Sequence, residues 1–254
     1  MALWTKTHAF SLLPAVAVML LLTGLLRYYL GRKPLHIRII PLQVVAVLLF
    51  LLEIGKQALS FRNGYDLYHI PLHFCSLFIF MLPLAAFYRG KGQETIRGIT
   101  AALCASVAGL TLIYPDLIYS AGNVQEFFTN YFSFHTVFFH NLVILACFLM
   151  LGLNLYAPGQ KGEKKAVLFF IIGYCAIAAP MAQILQTNFN NFYRCNIAPL
   201  EAIRAAVEAA LGYTPAQILY VCIVVLMDII FVQVFFLLYR LAQKLLPAKA
   251  SQTC

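Results

Sequence analysis

Charge is what this sequence has least of. Charged side chains make up 11% of its 254 residues, and the acidic ones number only nine. An ordinary soluble domain is about 25% charged and about 45–50% apolar, whereas 62% of this chain is hydrophobic. That shortage excludes a soluble globular domain with a fully wetted surface. The chain also lacks a basic soluble module, which excludes nucleic acid as a partner, and it has no low-complexity stretch or internal repeat. A cleaved leader is not expected either. Arg27, Arg32, Lys33 and Arg38 follow the first apolar run instead of preceding it, and no small-residue cleavage site accompanies them.

What the sequence has is long apolar runs. A membrane-crossing helix needs about 20 mainly apolar residues, and seven runs qualify: 9–30, 38–60, 69–88, 97–118, 130–153, 165–187 and 215–240. The expected fold is all-α, a single polytopic bundle of seven transmembrane helices over residues 1–254. Lysine and arginine are retained on the cytoplasmic side. With the N-terminus outside, thirteen of the 18 basic residues fall at inner ends and five (Lys6, Lys56, Arg62, Arg194 and Arg204) at outer ends. The expectation is therefore N-out, C-in, in a cell membrane, the cytoplasmic membrane if the source is bacterial. The net charge of +9 then reflects contact with anionic headgroups. Membrane lipids are the expected partners, and no cofactor is expected.

The outer connection between the last two runs is long for a bundle, roughly 27 residues. Within it, APLEAIRAAVEAALG sets Glu201, Arg204 and Glu208 at helical spacing, with Pro199 near the start and Gly212 at the stop. This pattern predicts an amphipathic helix over about 198–211 on the outer surface, either a connector or a cap over a site.

Polar residues inside the runs gather toward the outer side. Glu53 lies in the second run, His73 and Cys75 in the third, Asp116 at the end of the fourth, His135 and His140 in the fifth, and Gln183 with Asn188 around the end of the sixth. Asp228, about 13 residues into the seventh, falls near the midplane. Ionisable groups in a bilayer cost several kcal/mol each unless they face a bundle interior, a cavity or one another. A shared chamber offsets that cost, with Glu53, His135, Gln183, Asn188 and Asp228 as its expected lining. Taken singly, histidines can meet headgroups and asparagines can bridge helices.

The run HIPLHFCSLFIFMLPLAAFY raises the sharpest chemical question. In a continuous helix His69 and His73 share a face, while Cys75 is rotated roughly 200° from His73 at about 100° per residue. A nucleophilic Cys75 would then take its base from another helix, and His140, the deeper histidine of the fifth run, is the candidate. Such a pair can accept an acyl group as a thioester and pass it to a second substrate or to water. His73 and Asp116 would orient or polarise. Cys75 has three open readings: nucleophile, inert buried hydrophobe, or disulfide partner of Cys195.

Two other classes compete. His69 and His73 could join His140, Asp116 or Glu53 around a metal. However, the seven-helix zinc hydrolases of the alkaline ceramidase and progestin-receptor superfamily carry a His-x-x-x-His pair in their last helix, and the seventh run here has no histidine. A carrier or receptor would use the same chamber without covalent chemistry, with Asp228 as its ion or proton site.

Four stretches carry a family resemblance. Ile70-Pro71-Leu72-His73-Phe74-Cys75-Ser76 resembles the L-P-L-H-L-C-S stretch of the YwaF family of bacterial integral membrane proteins. Tyr114-Pro115-Asp116-Leu117 is similar to its T-P-D-L, Phe138-Phe139-His140 to its aromatic approach to a helix-five histidine, and Asn190 to Cys195 to its N-Y-x-Y-L-C. Pro199 falls one residue later than that family's proline, and Asn196 stands where a Lys-Pro pair would be approached. The resemblance implies seven helices, an outside N-terminus and kinship to a eukaryotic acyltransferase of ether-phospholipid remodelling that uses a cysteine and a histidine. More distantly it implies kinship to lipid hydrolases using threonine and histidine. In the eukaryotic enzyme the cysteine directly follows the motif proline. Here Leu72 fills that place and Cys75 comes three residues later.

Overall fold

The computed structural model describes residues 4–196 and 198–246, the side chains of 198–200 excepted. Among them there is no strand. The α-helices are α1 (Lys6–Leu30), α2 (Leu35–Arg38), α3 (Ile40–Arg62), α4 (Phe78–Phe87), α5 (Gln93–Ile113), α6 (Ala121–Gln125), α7 (Tyr131–Gly152), α8 (Glu163–Ile184), α9 (Ala198–Leu211) and α10 (Tyr213–Leu245). Six stretches are long and apolar enough to cross a membrane: α1, Leu35–Arg62, α5, α7, α8 and α10. Large apolar side chains also cover much of the outside, for example Leu21, Phe50, Ile218 and Met227. Helices apolar on both their inner and outer faces need a solvent that is itself apolar.

The bundle is built around α5, the most enclosed of these helices. It is rich in small residues, from Gly98, Ala101 and Ala102 to Ala105, Ala108 and Gly109, and α4, α7, α8 and α10 all pack against it. Helix association in lipid depends on such close approach, because burying an apolar side chain gains little over leaving it in hydrocarbon. At Gly109 the ring of Phe235 occupies the space a Cβ would need.

Arginines close one end of the bundle. Arg27 Nη1 donates to the Gly152 carbonyl at 2.7 Å, and Arg38 Nη1 donates to that of Leu153 at 2.7 Å. Both satisfy carbonyls left without partners at the C-terminus of α7. Arg97, fully buried, donates to the Ala85 carbonyl and to Glu94 at 3.3 and 2.7 Å.

The third apolar run departs from expectation. Instead of one helix over 69–88, a 3-10 turn at Leu67–His69 leads into an irregular stretch, a second 3-10 turn at Phe74–Leu77, and then α4. Pro71 is the reason. A proline disfavours helical dihedrals at the residue before it, and Ile70 sits at φ −57°, ψ 132°. His73 is extended too, at φ −70°, ψ 152°. The shared helical face of His69 and His73, and the rotation that set Cys75 apart, therefore do not exist. A similar cause ends α5 at Ile113, short of 118: Tyr114 precedes Pro115 and leaves the helix at φ −133°, ψ 73°.

Candidate functional site

Two irregular segments enter the bundle and meet. The Leu72 carbonyl of the first accepts from Tyr174 Oη at 3.0 Å, half-way along α8. The His73 ring packs edge-on against Phe189 of the second, centroids 5.2 Å apart. In that second segment Asn190 and Asn191 adopt left-handed φ values of 48° and 60°, a conformation asparagine tolerates better than most residues. The reversal aims Asn190 Nδ2 at Asp228 Oδ2, 2.6 Å away on α10. Gln183 and Gln217 donate to the Phe192 carbonyl at 2.8 and 3.1 Å. Asn188 Oδ1 accepts from the Arg194 amide at 3.1 Å. Of the expected lining residues, Gln183 and Asn188 thus hold this turn in place, and Asp228 receives it.

A second group lies on α3. Glu53 is buried, with Oε1 2.8 Å from Lys56 Nζ and 2.7 Å from Gln57 Nε2. Across the interface with α7, His135 Nε2 lies 3.3 Å from Glu53 Oε2. Gln57 also donates to the His69 carbonyl at 2.8 Å, and Ser60 Oγ meets His69 Nδ1 at 2.6 Å. The His69 ring stacks on Phe132. Tyr131 Oη donates to the Leu52 carbonyl at 2.9 Å, over Gly55, where a side chain would collide with it.

Carbonyl partners fix two tautomers. His140 Nδ1 is 2.6 Å from the Thr136 carbonyl, and His73 Nε2 is 2.9 Å from that of Tyr68. A carbonyl oxygen only accepts, so each of these nitrogens carries the proton. The opposite nitrogen, Nε2 in His140 and Nδ1 in His73, keeps its lone pair for a base.

Other expected residues lie elsewhere. Asp116 pairs with buried His8 at 3.4 Å, clasping the start of α1 to the Pro115–Leu117 turn. Among the described residues no hydrogen bond joins Cys75 to His140. Cys75 and Cys195 are free thiols, so the disulfide reading is not what this fold adopts. No group of three or more metal-ligating side chains converges among the described residues, each ring of the supposed metal set having its own partner. Lys56, Gln57 and Ser60 were missed by sequence reasoning, although with Glu53 they form an i, i+3, i+4, i+7 polar stripe in an apolar run. Tyr174 gave no such signal.

Outside the membrane spans, α9 is held by Arg204, which bridges Glu201 at 2.7 Å and Glu208 at 2.8 Å. Glu201 also accepts from the Cys195 amide at 2.9 Å, tying the helix to the second irregular segment. The Arg204 guanidinium holds the Glu201 carboxyl below the usual carboxylate range.

A helical bundle with apolar outer faces and an apolar core that encloses local polar groups defines an integral, multi-pass membrane protein. The chain belongs to the TMEM164 family, whose model it matches over residues 3–239. No curated protein and no solved structure matches it.

Proposed function

We propose that this protein transfers or hydrolyses lipid acyl groups, with Cys75 as nucleophile and His140 as base. The observation carrying this reading is the broken run at 70–77. Irregular backbone at membrane depth is tolerated only where it is buried in protein or lines a cavity, and here the Leu72 carbonyl is held by Tyr174 and the half-buried Cys75 follows three residues on, against the apolar core. In the step proposed, Cys75 Sγ attacks an ester carbonyl carbon and its proton passes to His140 Nε2. The C–O bond breaks, and the leaving alkoxide takes that proton. A lysolipid hydroxyl or water then attacks the thioester, giving its proton to His140, which returns it to the departing thiolate. The YwaF likeness, and the acyltransferase kinship it implies, point the same way.

In this reading the segment from Asp66 to Phe87 completes a seventh crossing and the N-terminus is outside. The arginine-capped end then faces the cytoplasm. The test is acylation of the purified protein by a fluorescent phospholipid in liposomes. A hydroxylamine-sensitive adduct on Cys75, absent in Cys75→Ala, is expected, and unimpaired lipid turnover by Cys75→Ala would refute the assignment.

One observation favours a second reading. Two broken segments that meet at His73 and Phe189, the second of them reaching Asp228 through Asn190, resemble the discontinuous helices on which transporters build ion sites. Proton-coupled uptake into liposomes that disappears in Asp228→Asn would establish it.

A further inference from the structure

The arginine-capped end carries an open cavity of about 310 Å³ between the α7–α8 connection and the last turns of α10. Gly159, Gln160, Glu163, Lys164, Lys165 and Arg240 line it. Glu163, the one acid among the lining residues, is buried and fully engaged. Its Oε2 accepts from the Gly159 and Gln160 amides at 2.9 and 3.2 Å and from the Tyr156 hydroxyl. Its Oε1 lies 3.0 Å from Arg240 Nη2, so those two charges match. Arg240 Nε is buried without a hydrogen-bond partner.

The lysines are different. Lys164 and Lys165 are exposed, and although the Lys164 carbonyl accepts from Gln233 Nε2 at 3.1 Å, among the described residues neither ammonium group makes a hydrogen bond or ion pair. They are the second and third residues of α8, where the helix dipole disfavours cations. Folding gains nothing from this arrangement. A bound anion would reverse its sign.

We infer that this cavity binds the phosphate of an anionic phospholipid headgroup, with Lys164 and Lys165 as its charge partners and Arg240 as a further donor. Two features select a lipid over a soluble phosphate. The cavity opens at the ends of two membrane-spanning helices, and those helices expose apolar side chains nearby in sequence, Phe169 on α8 and Leu241 and Leu245 on α10. An amphiphile satisfies both surfaces at once, and basic pockets between helices at the membrane surface suit such headgroups. The volume is at the lower end of ligand pockets, about 300 Å³ and upward, which suits one headgroup. This site is separate from the proposed acyl chemistry and does not depend on it.

The experiment uses the full-length protein in a neutral detergent and follows its thermal midpoint. Dioctanoyl phosphatidic acid should raise the midpoint saturably, while dioctanoyl phosphatidylcholine and glycerol 3-phosphate at the same concentrations leave it in place. Lys164→Ala/Lys165→Ala should weaken apparent affinity for the acidic lipid at least tenfold. Its own midpoint without lipid should equal or exceed the parent's, because the dipole conflict is gone. A charge-matched control at the same end, Lys33→Ala/Lys91→Ala, should respond like the parent. The inference is overturned if the parent gives no saturable shift, if the cavity variant responds like the parent, if the control loses its response too, or if glycerol 3-phosphate works as well as the lipid.

Discussion

Replacing Glu53 alone should cost more than replacing Glu53 and Lys56 together. Glu53 is 6% exposed, and its carboxylate sits 2.8 Å from Lys56 Nζ. At an effective dielectric of about 20, unit charges at that separation attract by roughly 6 kcal/mol. Withdrawing each from water costs several kcal/mol, so the intact pair comes close to neutral. Glu53→Leu leaves the ammonium without its counter-charge and removes the acceptor used by Gln57, at a cost of about 3–5 kcal/mol. At about 2–4 °C per kcal/mol for a chain of this size, the midpoint falls on the order of 10 °C. Glu53→Leu/Lys56→Leu removes both charges and should recover at least half of that loss. The four-member cycle is read by circular dichroism during heating, in one detergent throughout. Additive single effects would mean that the two charges do not sense each other and would refute the reasoning.

Three further outcomes follow from named contacts. Asn190→Gly keeps the left-handed turn and loses the bond to Asp228, whereas Asn190→Ala loses both, so alanine should be the more destabilising by about 1 kcal/mol in the same melts. Gly109→Leu should destabilise by about 1–3 kcal/mol through overlap with Phe235, with Phe235→Ala restoring part of the loss when combined with it. The anchorage of α9 should depend on acid. Because Arg204 lowers the folded-state pKa of Glu201, that contribution is full above the ordinary carboxylate value of about 4.3 and is lost as pH falls through the lower folded value. Hydrogen exchange over 201–211, corrected for intrinsic rates, should show protection dropping in acid for the parent and already low, with little pH dependence, for Glu201→Gln.

Apolar run length gave away the all-helical membrane class, because the bilayer sets one length for every crossing and each qualifying run carries that signal by itself. Boundaries moved by a few residues, as at α5, where Pro115 ended the helix at Ile113. The third run misled because hydropathy counts side chains and is blind to backbone. Ile70, Leu72 and Phe74 are as apolar in an irregular stretch as in a helix, and only Pro71 hinted otherwise. Polar positions were legible as a set and not as partners. Asp228 was read as buried and costly, but its partner Asn190 is 38 residues away in sequence, on a turn whose left-handed dihedrals no periodicity reveals. Asp116 was read as an orienting or polarising group, and its contact with His8 joins chain segments that only the packing of α1 brings together.

The half-length helix has a consequence for biosynthesis. The apolar stretch Phe74–Phe87 amounts to roughly 21 Å at about 1.5 Å per residue, well short of the roughly 30 Å of hydrocarbon in a bilayer. As it leaves the ribosome it cannot partition into lipid as an independent unit, and the polar backbone ahead of it would be stranded there. Its stability in the membrane comes from α3 and α5, the neighbours it packs against. Insertion of this stretch therefore depends on α3 and α5 together and waits for α5 to be translated.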